Sequence, residues 1–292
     1  MNLFNKIFSY EHDIRPFPEG FVHHRQSPEY LAGECADKMR AQIVGVPECL
    51  GIRWHVGWLT MESYTTDVEP VITADNPSNI IIWEPIRSKA RPKKKGWCEP
   101  WIRMNTARTG FATITEPAHY DADWSEHVRR HLKKWRKQPT HTIQEVSIDQ
   151  FIDAYNTTGK LKFLRGDFYD ILRRRKIRHG DHMHLYGAID STTGTLDAGL
   201  AVLDVDDIRT SNHIVAFFHD RVRKTPVNVG LIDHWYQESI TRNMRFLNYG
   251  VFWVPGEPPS WKGFSRFKSQ FDIQYIDSPT TYMMFRRPKK TT

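Results

Sequence analysis

The chain has 292 residues, 39% hydrophobic and 13% aromatic, which suits a folded protein of one large or two modest domains and argues against disorder. No apolar run approaches the ~20 residues of a membrane helix, and the opening MNLFNKIFSY is too short and polar for a signal peptide, so a cytoplasmic protein is expected. Net charge is +7, but residues 1–126 carry −3, whereas 127–178 alone hold 14 Lys and Arg against 5 Asp and Glu. That local excess suits a phosphate-bearing partner, and equally a solvated helical surface.

In chain order, 27–42 reads as a helix, with Ser27 as N-cap, Pro28 at the first position and Glu29 in the first turn. Segments 52–62 and 79–86 have strand composition, and KARPKKKGWCEPW (89–101) is a Pro- and Lys-rich loop. Turn residues and a helix start at 115–126 mark a boundary, giving an α/β lobe over 1–125 and a second domain over 126–292. EHVRRHLKKWRKQ (126–138) predicts a helix with Val128, Leu132 and Trp135 on one apolar stripe and cations around the rest. Helices follow at 147–160, capped by Ser147 and closed near Gly159, and at 166–180. Strand patterns then cover 182–190, 195–207 and 211–222, a helix 225–243, a strand 245–255 and a short helix at 262–271. A hairpin-like pair over 272–287 closes the chain. Helices, an antiparallel run and strand–helix–strand define an α+β class with a mixed, largely antiparallel sheet flanked by helices.

Cys35, Cys49 and Cys98 lack a paired C-x-x-C spacing, which argues for reduced thiols and against a structural zinc site. HGDHMH (179–184) straddles a turn without a recognised ligand spacing, so no metal is expected. Walker, dinucleotide, nucleophile-elbow and H-E-x-x-H motifs are absent from the sequence, which removes the common nucleotide, hydrolase and metalloprotease assignments.

The element order resembles the GNAT acyltransferase fold, and four stretches bring it closer to the FemABX-like aminoacyltransferases. These are the basic helix Arg129, Arg130, His131, Leu132, Lys133, Lys134; the helix and aromatic linker 151–172; a helix entered through Pro226 and Gly230; and a strand with Asn248, Tyr249 and Gly250 followed by G-x-x-R-F-K-x-x-F, here Gly263, Arg266, Phe267, Lys268 and Phe271. The resemblance spans about 126–287 and leaves open whether 1–125 is a second, degenerate GNAT-like lobe. It implies transfer of an aminoacyl or acyl group to an amine, with aminoacyl-tRNA or acyl-CoA as donor, no tightly bound cofactor, and a small-molecule or cell-wall precursor amine as acceptor. It also implies that Lys268 lies near the reacting centre. Two departures stand out: the strand that usually ends in an acidic residue reads Leu247, Asn248, Tyr249, Gly250, and the glycine-rich coenzyme A loop is replaced by RKTPVNVG (223–230) with one glycine. That second departure favours aminoacyl-tRNA. A non-catalytic RNA-binding protein of the same fold is the alternative outside enzymes.

Acyl transfer to an amine needs a cation or N–H donors at the developing oxyanion and a route for the amine's proton. At ~100° per residue, Phe264, Phe267 and Phe271 share a helix face, with Lys268 at its edge and Arg266 nearly opposite. The resemblance makes Lys268 the expected charge stabiliser; helical phase alone also allows its ammonium to snorkel outward. His219 and Asp220, ending a strand, are the expected proton-transfer groups. Arg223, Lys224, Asn228, Gly230, Tyr249, Arg129, Arg130 and Lys133 are the expected substrate contacts.

Overall fold

The structure is a computed structural model that describes residues 18–37, 41–86, 91–100, 106–137, 140–158 and 165–287. The Gly159 helix closure and the linker over 159–164 lie outside the described residues. The chain forms two compact units: Met1–Gly110 with Val251–Phe267 and Gln274–Thr292, and Phe111–Gly250 with Lys268–Ile273. The boundary expected at 125/126 does not coincide with this division. Strand pairing draws it instead, because the last strand of the chain pairs with β4 (Ile80–Glu84), some two hundred residues earlier.

The first unit has helix α1 (Pro28–Asp37) and a five-stranded sheet in the order β1-β2-β3-β4-β12. Here β1 is Gln42–Val46, β2 Cys49–Val56, β3 Leu59–Thr65 and β12 Tyr282–Phe285. Ser27 caps α1 as its sequence predicts, its Oγ accepting the Tyr30 N–H at 3.0 Å. The strand predicted over 52–62 is the hairpin β2–β3, because Gly57 takes φ +59 and reverses the chain. Tyr64, Ile81, Trp83 and Tyr282 fill the core. Its sheet buries Glu62, which takes hydrogen bonds from Arg53, Tyr64, Asn76 and Ser78. β3 and β4 are parallel, paired from Met61↔Ile80 to Thr65↔Glu84. The hairpin expected over 272–287 does not form: β11 (Gln274–Asp277) adjoins β5 (Arg108–Thr113), where Asp277 clamps Arg108, while β12 pairs antiparallel with β4.

In the second unit, the strand order is β5-β10-β9-β8-β7-β6. β6 is His141–Glu145, β7 Met183–Asp190, β8 Leu196–Val205, β9 Thr210–Phe218 and β10 Phe246–Val251. β6, β7, β8 and β9 pair antiparallel in succession, and β9 with β10 is parallel. Helix α2 (Glu126–Lys137) buries Val128, Leu132 and Trp135, the predicted stripe, and packs on α5 (Val227–Thr241). A capping box at Ser147 and Gln150 starts α3 (Ile148–Thr157), which packs on β8. Helix α4 (Arg165–His179) ends at Gly180, with φ +52. The architecture is mixed α+β, with two mostly antiparallel sheets flanked by helices. No helix among the described residues is long and apolar enough to cross a membrane.

Candidate active site

β9 and β10 begin as an ordinary parallel pair, but the pairing covers only Phe246↔Thr210, Leu247↔Ser211 and Asn248↔Asn212. β9 then runs on to Phe218, held by β8 alone on this stretch, and a one-residue register shift against β8 at His213–Val215 bends it. β10 turns at Gly250, whose φ of +71 is open to glycine and costly for most side chains. The result is a fork in the sheet.

Polar side chains pin the fork's apex. Asn248 Nδ2 donates to Asn212 Oδ1 at 3.0 Å, and Asn248 Oδ1 accepts the Gly250 N–H at 2.9 Å. Asn212 Nδ2 in turn donates to the carbonyls of Leu203 and Thr210. Both asparagines are buried, so this chain satisfies amides that would otherwise cost free energy.

Helix α6 (Trp261–Lys268) delivers Lys268, the buried residue of that helix. Arg266 is exposed. The Lys268 ammonium does not snorkel outward: the side chain is 9% exposed and Nζ donates to the Tyr249 carbonyl at 2.5 Å. Just beyond, fully buried Phe271 packs edge-on against Trp124 and face-on against Tyr249. Burial pulls the Lys268 ammonium down to about 8. His213, the first β9 residue past the apex, is held well below the usual imidazole range by burial and then by the Lys268 charge. A buried lysine whose charged form is weakened thus sits on the β10 backbone just past the apex, and its charge reaches the buried His213 imidazole on β9.

Other residues singled out from sequence lie elsewhere. His219 follows β9, six residues beyond His213, about 20 Å of extended strand; its Nε2 meets Thr157 Oγ1 at 3.1 Å, and its pKa is lowered by burial and by Arg221. Asp220, Arg223 and Lys224 are exposed in the following turn, and Asn228 is half-buried in the first turn of α5. Gly230 is inside that helix, its N–H bonded to the Pro226 carbonyl and its Cα covered by the Trp135 ring. Tyr249 is wholly buried, with its hydroxyl on Tyr236. Arg129, Arg130 and Lys133 are exposed on α2, whereas Arg136 turns onto Asp233 and Tyr120. Cys98 lies in a loop with its Sγ on the Met283 carbonyl. Asn212 and His213 were missed by sequence reasoning; the signal was S-N-H opening an otherwise apolar strand.

Around the turn that follows β9, buried Asp197 accepts from Arg221 and from Thr195 Oγ1 on one oxygen and faces His141 Nε2 at 3.1 Å with the other. Burial would raise the Asp197 carboxyl, but these partners outweigh it and hold it at about 2.

Solved structures share this architecture. FemX aligns with a TM-score of 0.62 at 8% identity, over 85% of this chain and 88% of that one. L-PGS from Bacillus licheniformis aligns at 0.52 and 10% identity, over 86% and 85%. The C-terminal domain of a putative lysylphosphatidylglycerol synthetase from Agrobacterium fabrum aligns at 0.51 and 9% identity, over 85% and 84%. No family model matches the chain, and no curated protein matches its sequence. The chain thus shares its fold with FemX and with the two lysylphosphatidylglycerol synthetase structures, the fold that the resemblance of its motifs implies.

Proposed function

We propose that this protein is an aminoacyltransferase that works at the β9–β10 fork and takes its acyl group from aminoacyl-tRNA. The observation that carries this reading is the buried Lys268 ammonium seated at the fork, on the Tyr249 carbonyl. An acceptor amine entering the fork attacks the acyl carbonyl carbon. A C–N bond forms while the carbonyl electron pair moves onto oxygen, where Lys268 stabilises it. Collapse breaks the ester C–O bond, the ribose hydroxyl leaves, and the amine's proton passes to solvent or to the leaving oxygen.

Two features support tRNA over acyl-CoA. The turn into α5 has no glycine, and Gly230 in the first turn of the helix is covered by Trp135, so a glycine-rich pyrophosphate cradle is missing there. Arg129, Arg130, Lys133, Lys134 and Lys137 are exposed along α2, suited to a nucleic-acid backbone. The fold shared with FemX and the lysylphosphatidylglycerol synthetase domain is compatible with an aminoacyl donor and a precursor amine as acceptor.

The test supplies the purified protein with total tRNA charged with radiolabelled amino acids and a panel of amine acceptors, in parallel with acetyl-CoA. Label is expected to move from tRNA to an acceptor, and Lys268→Met should abolish that movement. Coenzyme A retained in native mass spectrometry, or used as donor in place of tRNA, overturns the choice of donor. RNA binding without transfer from either donor overturns the enzyme in favour of a non-catalytic RNA-binding protein.

A further inference from the structure

His141, Asp190 and Asp197 come from three neighbouring strands, the start of β6, the end of β7 and the start of β8. The His141 Nε2 and one carboxylate oxygen from each aspartate all lie within 4.8 Å of one another. His141 Nε2 stands 3.1 Å from Asp197 Oδ2 and 3.9 Å from Asp190 Oδ2. Ligand atoms bound at about 2.0–2.2 Å around one ion lie at such mutual separations after small side-chain adjustment.

The remaining atoms of the three side chains are already spoken for, and that division of labour is the argument. Asp190 Oδ1 accepts the backbone N–H groups of Thr192 and Thr193, both at 2.8 Å, leaving Oδ2 toward His141. Asp197 Oδ1 accepts from Arg221 Nε at 2.9 Å, from Arg221 Nη2 and from Thr195 Oγ1 at 2.9 Å, leaving Oδ2 toward the same point. His141 Nδ1 engages Thr140 Oγ1 at 2.8 Å, which fixes the ring and leaves Nε2 facing the carboxylates. Oriented outer partners of this kind are what metal ligands need. The His141 and Asp197 side chains are each 3% exposed, while Asp190 is 25% exposed and gives an ion a way in.

We infer that His141, Asp190 and Asp197 form a binding site for a divalent first-row transition-metal ion, with one imidazole nitrogen and two carboxylate oxygens as ligands and water completing the shell. Imidazole with carboxylates suits zinc or manganese over calcium or magnesium. Arg221 reduces the local negative charge, so binding is moderate in strength, and the ion staples the turn end of the β7–β8 hairpin to the start of β6. The site is separate from the fork and does not rest on the transferase reading.

Zinc is the probe, applied to the full chain after chelator treatment. Calorimetry should give one equivalent bound with micromolar affinity, and the thermal midpoint should rise with zinc concentration as mass action requires. Asp190→Asn removes the accessible ligand and should weaken zinc binding at least tenfold while leaving the metal-free midpoint nearly unchanged. His141→Gln should likewise weaken zinc binding, with some loss of metal-free stability because the ring is buried, and Cys98→Ser should have no effect. The inference is overturned if zinc and manganese both fail to bind, or if the zinc equivalent survives Asp190→Asn. It is equally overturned if Cys98→Ser removes that equivalent.

Discussion

Among the described residues each unit contains a parallel strand pair beside antiparallel ones, and the two parallel pairs are built to opposite ends. In the first unit every residue of β4 is matched to β3, from Ile80 to Glu84. In the second, β9 and β10 pair at three positions and then part. The buried ions beside them differ in the same sense. Burial alone would raise the Glu62 carboxyl, but hydrogen bonds from Asn76, Tyr64, Ser78 and Arg53 outweigh it and keep the group ionised. Lys268 is buried with its ammonium on the Tyr249 carbonyl, and burial weakens its charged form. A closed pair with a satisfied ion stabilises a sheet; an open pair with a strained ion is suited to chemistry.

The largest effect should come from the closed pair. Glu62→Ala leaves Arg53, half-buried Asn76 and the buried hydroxyls of Tyr64 and Ser78 without their acceptor and should cost about 3–5 kcal/mol in chemical denaturation. Glu62→Gln, which keeps an acceptor oxygen, should cost less. Because the folded Glu62 pKa is depressed, its contribution is present above the unfolded value and is lost as pH falls through the folded one. A Glu62→Ala protein of unchanged stability but lower activity would reverse the contrast.

Next comes the fork. Lys268→Met should lower the transfer rate about 10²–10³-fold, the usual scale for removing one oxyanion donor, with the circular dichroism spectrum unchanged. The ammonium form is the active one, so the rate should fall as pH rises through about 8, and Lys268→Arg should carry that limb to higher pH. Stability runs the other way. A depressed lysine pKa opposes folding, fully so below about 8, and the penalty disappears as pH climbs toward the unfolded value of 10.5. Wild-type stability relative to Lys268→Met should therefore rise across that window, at about 1.4 kcal/mol per pH unit or less. Equal rates for the two proteins would remove the fork from consideration as a reaction centre.

The sequence carried local physics well and long-range pairing poorly. The Val128, Leu132, Trp135 stripe, the Ser27 and Ser147 caps and the inward phase of Lys268 follow from helical periodicity and hydrogen-bond chemistry within one turn. The partnership of β12 with β4 and the place where β9 leaves β10 depend on residues far apart in the chain, and no local pattern encodes them. His219 drew notice because it ends a strand, yet the fork opens six residues earlier, where the pairing stops. His213 occupies that point.

Gly230 shows the same limit at smaller scale. A lone glycine entering a helix after a strand suggests a phosphate contact through bare N–H groups. In the structure its N–H is spent on the Pro226 carbonyl, and a Cβ built there would meet the Trp135 ring at 2.3–2.7 Å. The ring belongs to the stripe that seats α2 on α5, so an added methyl must push the two helices apart or force Trp135 off its rotamer. Gly230→Ala should cost about 1–3 kcal/mol by overpacking, and the loss should shrink when Trp135→Phe is added, because a smaller ring makes room. Donor affinity of the folded Gly230→Ala protein should stay within about twofold of wild type. If affinity instead fell tenfold with stability intact, the glycine would be a phosphate contact, and the case against a coenzyme-type donor would lose its footing.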